Sequence, residues 1–209
     1  MPAEAQHGVW EAIAAHGLEN IGAYGAFLYL GALAKYPSVG DDGSAVLTAL
    51  TKCDATSWCA ELETYNATTA MEAFPVDVVG GSSFSHLWGA SAIGGIVQGL
   101  LGLTATAPGH QRFTVRPRLG GLEYASVRVP TLYGFINITA SPQRLSINIP
   151  CNTVARACLM PVGLLLDEAV HALLLDGGAA AATREGLHVC ADEPIVCGAG
   201  GSDRVLSFQ

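Results

Sequence analysis

Apolar residues at Leu18, Ile21, Phe27, Leu28, Leu30, Leu33 and Ala34 recur mostly three or four positions apart. That period predicts a helix over 18–36, stopped by Pro37. Asp41-Asp42-Gly43-Ser44 offers an N-cap for a second helix over 45–51, and loops through Cys53, Cys59 and Glu72 lead to a third over about 84–103. Small residues recur through the first and third helices (Gly22, Ala23, Gly25, Ala26, then Gly89, Ala90, Gly94, Gly95, Gly99). Glycine costs ~1 kcal/mol in a helix interior, so its repeated use predicts helix backbones in close approach. The run 87–103 is almost wholly apolar, but it carries five glycines and Gln98. It is shorter than the ~20 apolar residues of a membrane span and reads as a buried helix.

At 104–109 the period changes from helical to two. Gln111 to Arg116 alternates, and so does Arg144 to Ile149, where Leu145, Ile147 and Ile149 share one face. Further strand-length runs lie at 124–129, 134–140, 153–160, 169–175, 187–190 and 204–208, separated by Pro, Gly and the turn Asp176-Gly177-Gly178. Short strands at such spacing predict an antiparallel β-sandwich. Residues 179–182 read as low-complexity filler. The chain is therefore expected to be multidomain, α then β, with a helical part over 1–104 and a sandwich over 105–209.

Charge divides at the same place. Residues 1–104 hold ten acidic side chains against Lys35 and Lys52, and 105–209 hold eight of each sign, so the net charge of -8 belongs to the helical part. An acidic half almost free of Lys and Arg excludes nucleic acid and anionic membrane as partners. Arg112, Arg116, Arg118 and Arg128 lie among strand residues and read as solvated strand faces.

Six cysteines form three close pairs, Cys53 with Cys59, Cys151 with Cys158 and Cys190 with Cys197. None has CxxC metal spacing, so short disulfide loops in an oxidising compartment are expected, with no cofactor or metal. The sequons Asn66-Ala67-Thr68 and Asn137-Ile138-Thr139 lean towards secretion, with Asn137 facing solvent between Ile136 and Ile138. Met1 to Gln6 lacks the basic and apolar regions of a secretion signal, which fits either a cytoplasmic protein or a piece of a longer chain.

The chemistry-bearing residues lie on polar loops between helices: Glu72, then His86 and Trp88. A carboxylate can take a proton from water, an imidazole can hydrogen-bond hydroxyls, and an indole can stack on a pyranose face. The plainer alternatives are a capping glutamate, a helix-terminal histidine and a packed indole. Asp41, Asp42 and Asp77 read as turn or cap residues, and Trp10 and Trp58 as core or rim.

These motifs, in this order, resemble the C-terminal part of the bacterial-type α-L-rhamnosidases, glycoside hydrolase family 78. Leu18-Glu19-Asn20-Ile21-Gly22 and Ser57-Trp58-Cys59 are similar to late helices of that family's six-hairpin barrel. Thr69-Ala70-Met71-Glu72-Ala73-Phe74 is similar to its Thr-x-Met-Glu-Ala-Trp motif, Ser85-His86-Leu87-Trp88-Gly89 to its Ser-His-Pro-Trp-Gly, and Leu103-Thr104-Ala105-Thr106-Ala107-Pro108-Gly109 to its linker. Arg112-Phe113-Thr114-Val115-Arg116-Pro117 and Ile149-Pro150-Cys151-Asn152 look like its C-terminal sandwich. The resemblance implies the end of an (α/α)6 barrel followed by a sandwich, acting on rhamnose-containing glycosides or polysaccharides.

It further implies inverting hydrolysis of terminal α-L-rhamnosyl residues, in which one carboxylic acid protonates the leaving oxygen and a second carboxylate activates water. Glu72 falls on the water-activating position, His86 on a sugar contact and Trp88 on a cleft aromatic. The general acid lies upstream in that family, and no motif marks Glu4, Glu11 or Glu19 as its substitute. Phe74 stands for the usual Trp and Leu87 for the usual Pro. The implied state is the end of a barrel whose remainder is upstream, inactive alone. The alternatives are a non-catalytic carbohydrate-binding or accessory module and a structural or adhesion fragment.

Overall fold

A computed structural model describes residues 8, 11–12, 15–16, 22–35, 41–54, 56–72, 83, 85–161, 173–197 and 203–208. The chain divides into two compact units, Met1–Leu100 and Leu101–Gln209.

In the first unit, α1 spans Ala23–Lys35, α2 Ser44–Thr51 and α3 Trp58–Tyr65. The aspartates shape the turn into α2 rather than cap it: Asp42 Oδ1 accepts Ser44 N–H at 2.9 Å and Asp41 Oδ1 accepts Gly43 N–H at 3.0 Å, while the N-cap is Gly43, with no side-chain bond. Gly43 takes φ 92°, which suits glycine. The expected third helix changes pitch along its length, from a 3-10 turn at Trp88–Ala90 through α4, Ser91–Gly94, to a π segment at Gly95–Leu100. Its glycines face neighbours closely. A Cβ on Gly95 would lie 3.1 Å from Leu30 Cδ1, and one on Gly99 2.9 Å from Val46 Cγ1.

Helix α3 falls where only loops are expected from the pattern. Ser57 caps it by accepting Ala60 N–H at 3.1 Å, and Asn66 ends it with φ 50°. Periodicity misses it because the position it turns inward, Glu61, is charged and 4% exposed.

Helix α1 is apolar on two sides. Ala23, Ala26, Leu30 and Leu33 are buried, while Tyr24, Phe27 and Leu28 are each more than half exposed.

The second unit contains two six-stranded sheets. The first joins β1 (Thr104–Ala105), β2 (Arg112–Val115), β6 (Val154–Leu159), β10 (His188–Ala191) and β9 (Ala182–Glu185), with β11 (Ile195–Val196) also on β6. The second runs β3 (Ala125–Thr131), β4 (Gly134–Ser141), β5 (Arg144–Asn148), β12 (Asp203–Phe208), β7 (Leu173–Leu175) and β8 (Gly178–Ala179). Alternation buries one face of three strands: Ile136, Ile138 and Ala140 on β4, Leu145 and Ile147 on β5, Phe113 and Val115 on β2. Asn137 is exposed between its buried neighbours. Pro130 sits on β3, an edge strand, where a missing N–H is tolerated. The segment read as filler contributes one residue to β8, Ala179, and one to β9, Ala182. The expected strand over 169–175 is seen in its last three residues, the rest lying outside the described ones.

The sheets are sandwich-like and mostly antiparallel, with one correction. β2 and β6 pair in parallel, Phe113 opposite Ala155 and Val115 opposite Ala157. Three alternating strands of the other sheet intervene between them, so β6 returns beside β2 in the same direction.

Cysteine pairing is the second correction. Cys53–Cys59 forms the expected short loop, but the others pair as Cys151–Cys197 and Cys158–Cys190. Cys151 and Cys158 lie at opposite ends of β6, and extended backbone rises about 3.3 Å per residue, too far for one bridge. Cys158 instead faces Cys190 across the β6–β10 ladder. Three disulfides are compatible with an extracellular protein. No helix among the described residues is long and apolar enough to cross a membrane.

Two of the four arginines, Arg118 and in part Arg116, differ from expectation. Arg118 is buried at 4% exposure, Arg116 pairs with Glu185 at 3.0 Å, Glu185 also holds Arg156, and Arg128 lies 3.7 Å over the Phe135 ring. Arg112 and Arg128 are exposed, as expected. A guanidinium is weakly hydrated and stacks on rings, so strand arginines need not face water.

Candidate functional site

Two loop segments of the first unit lie side by side. Glu72 N–H donates to Ser83 O at 3.0 Å, Ser83 N–H donates to Glu72 Oε2 at 2.7 Å, and His86 N–H donates to Ala70 O at 2.9 Å. Main chain and side chain of Glu72 are thus both tied to one residue, eleven positions on. Ser83 is itself in a tight turn, its Oγ donating to Ser85 O at 2.8 Å.

Trp88 completes the cluster. Its Nε1–H donates to Glu72 O at 3.3 Å, its ring lies 3.8 Å from the His86 ring at 32°, and Tyr24 of α1 meets it edge-on at 5.1 Å and 61°. The structure therefore brings together all three sequence-predicted residues, Glu72, His86 and Trp88. All three are half-buried. The indole N–H is engaged by protein, so Trp88 presents only ring surface to anything else. Nδ1 of His86 is buried with no hydrogen-bond partner among the described residues.

Glycine at position 89 is dictated by this geometry. A Cβ there would collide with Met71 O, and Met71 is itself buried. Trp58 Nε1–H donates to Gly89 O at 2.6 Å, so the second tryptophan supports the cluster from behind.

One functional-looking residue escapes sequence reasoning. Glu61 accepts Met71 N–H at Oε2, 3.3 Å, its Oε1 is buried with no partner among the described residues, and burial pushes its pKa up to about 7. Its signal in the sequence is faint: an acidic residue four positions after the helix cap Ser57, close to a Trp-Cys pair. Of the acids weighed as upstream substitutes, Glu11 is exposed, and Glu4 and Glu19 lie outside the described residues, as does Phe74. Leu87 is 89% exposed.

Ligand atoms of Cys53, Cys59 and Glu63 lie within 4.8 Å of one another, but the two sulfurs are bonded together and offer no thiolate.

Residues 102–163 match the family model of the bacterial alpha-L-rhamnosidase C-terminal domain. Among solved structures it is similar to an alpha-L-rhamnosidase from Dictyoglumus thermophilum, with TM-score 0.69 and 14% identity, over 88% of this chain and 20% of that one. It is also similar to Streptomyces avermitilis alpha-L-rhamnosidase complexed with L-rhamnose, with TM-score 0.61 and 15% identity, over 88% and 17%. Identities this low speak for the fold. The chain spans about a fifth of the length of these enzymes. Among curated proteins none matches it.

Proposed function

We propose that this chain is the C-terminal part of an inverting α-L-rhamnosidase of glycoside hydrolase family 78. Residues 1–104 are read as the closing end of an (α/α)6 barrel and 105–209 as its C-terminal β-sandwich. The substrate class is a terminal, non-reducing α-L-rhamnosyl residue on a glycoside or polysaccharide. The protein is read as secreted.

The observation that carries this reading is the double attachment of Glu72 to Ser83. A general base must hold its carboxylate at a fixed distance from a water molecule, and a backbone N–H on one oxygen fixes it while leaving the second to take the proton. Glu72 is the base, Nε2 of His86 a donor or acceptor for a sugar hydroxyl, and the Trp88 ring an apolar wall. The general acid belongs to an upstream segment. Inversion needs the two carboxyl groups ~6.5–9.5 Å apart, with water between them.

The exposed stripe of Tyr24, Phe27 and Leu28 supports further helices packed against α1, since a monomer rarely leaves such a face to water. So do the buried polar atoms without partners among the described residues, Glu61 Oε1, His86 Nδ1 and Ser91 Oγ, which all fall in this unit.

A second reading, a non-catalytic accessory module, is favoured by the family match lying at 102–163, outside the segment that holds Glu72. Turnover of an aryl α-L-rhamnoside by the full-length protein separates the two. Glu72→Gln is expected to abolish rhamnose release while preserving the fold, and undiminished turnover in that variant removes Glu72 as base.

A further inference from the structure

Helix α3 touches the Glu72 cluster at two points. Trp58, its first residue, holds Gly89 O, and Glu61, one turn on, holds Met71 N–H. These are the residues immediately after Trp88 and immediately before Glu72. Between the two anchors Met71 O and Gly89 are in contact so close that no side chain fits on the glycine. One short helix thus pins both loop segments of the candidate site.

Glu61 is an expensive way to make a single acceptor bond. Burying a carboxyl at 4% exposure costs free energy that a neutral acceptor does not, and one of its oxygens has no partner among the described residues. The capping of α3 does not need the group, since Ser57 and Asn66 terminate the helix. What the carboxyl does reach, ten residues away in sequence, is the peptide that leads into Glu72.

We propose that Glu61 is a positioning residue of the candidate site, whose carboxyl clamps the Met71 peptide and thereby holds the Glu72 carboxylate against Ser83. The clamp stands on its own geometry, and its consequence for catalysis rests on the reading of Glu72 as general base. Glu61 itself faces a backbone amide, so it acts through Glu72. Glutamine keeps an acceptor oxygen at the same reach. Leucine removes it, and aspartate keeps the acid but is one methylene too short.

The test is hydrogen–deuterium exchange of the Met71 and Glu72 amides in the intact protein, with kcat and KM measured in parallel on the full-length form. Glu61→Leu is expected to speed exchange over 66–72 roughly tenfold, the equivalent of one lost buried hydrogen bond, with the exchange of α1 unchanged. Its kcat is expected to fall by a similar factor with KM little altered, and Glu61→Gln to restore both. Where Glu61→Leu fails to fold, Glu61→Asp carries the test with the same expected loss. Unchanged exchange at Met71 in Glu61→Leu or Glu61→Asp overturns the clamp, and so does a Glu61→Gln variant as damaged as these. Exchange does not depend on turnover, so failure of the clamp is distinguishable from failure of Glu72→Gln to abolish rhamnose release.

Discussion

Glu72 and Ser83 are joined twice, backbone to backbone at 3.0 Å and Ser83 N–H to the Glu72 carboxylate at 2.7 Å. A side chain tied to the same residue as its own main chain has little freedom left, which suits a group that must meet water at one position. In the full-length protein Glu72→Gln should lower kcat by ~10²–10⁴, the usual contribution of a positioned base, and azide should restore turnover by replacing the activated water. Proton NMR of the first product should show the inverted anomer. Retention of configuration would exclude the base role.

Gly89→Ala should destabilise the first unit by about 2 kcal/mol or more, because the added methyl meets the Met71 backbone rather than a side chain that can turn away. Chemical denaturation of wild type and variant measures it. Gly94→Ala, where nothing lies within 4 Å, is the control and should cost nothing.

Two buried titratable groups tilt stability in opposite directions. His188 is buried, its Nε2 2.9 Å from Pro117 O, and burial, with Arg116 and Arg118 nearby, pushes its pKa down to about 4 from 6.5. The unfolded chain therefore takes up the proton first. The stability that neutral His188 contributes is present above 6.5 and is lost as pH falls from 6.5 to 4, by up to about 3 kcal/mol. Glu61 is the reverse: its raised pKa gives stability that is full below 4.5 and lost as pH rises from 4.5 to 7. Denaturation followed by probes in each unit should show the β unit weakening in acid and the helical unit weakening towards neutrality. His188→Gln should flatten the first slope.

The two units should also differ when separated. Leu101–Gln209 has its inner sheet faces covered and two disulfides of its own, and it should unfold in a single cooperative transition. Met1–Leu100, with Tyr24, Phe27 and Leu28 exposed, should bind a hydrophobic dye or aggregate. A monodisperse, dye-silent first unit would remove the argument for further helices.

Much of the β unit was legible because alternation follows from burying one face: Leu145, Ile147 and Ile149 are all fully buried. The clustering of Glu72 with His86 and Trp88 followed from motif order. What stayed hidden depends on partners distant in sequence. The α3 helix has no apolar stripe because its inward position is Glu61, and the burial of Arg118 depends on strands far from it. The disulfides did leave a trace. Cys151 and Cys158 are seven residues apart, and so are Cys190 and Cys197. Equal spacing is what two bridges between β6 and the antiparallel segment that returns along it, β10 then β11, require, whereas pairing by proximity alone joined the wrong sulfurs.

Those two bridges hold β6 at both ends, Cys151 three residues before the strand and Cys158 within its last two residues. Mapping by non-reducing peptide mass spectrometry should find Cys151 with Cys197 and Cys158 with Cys190, and Cys158→Ser with Cys190→Ser should cost about 3–4 kcal/mol. Sliding β6 past its partners by even one residue is blocked by covalent bonds. A protease that cuts the backbone anywhere between Cys158 and Cys190 leaves both pieces tethered twice, so a nicked chain keeps its full mass until a reductant is added.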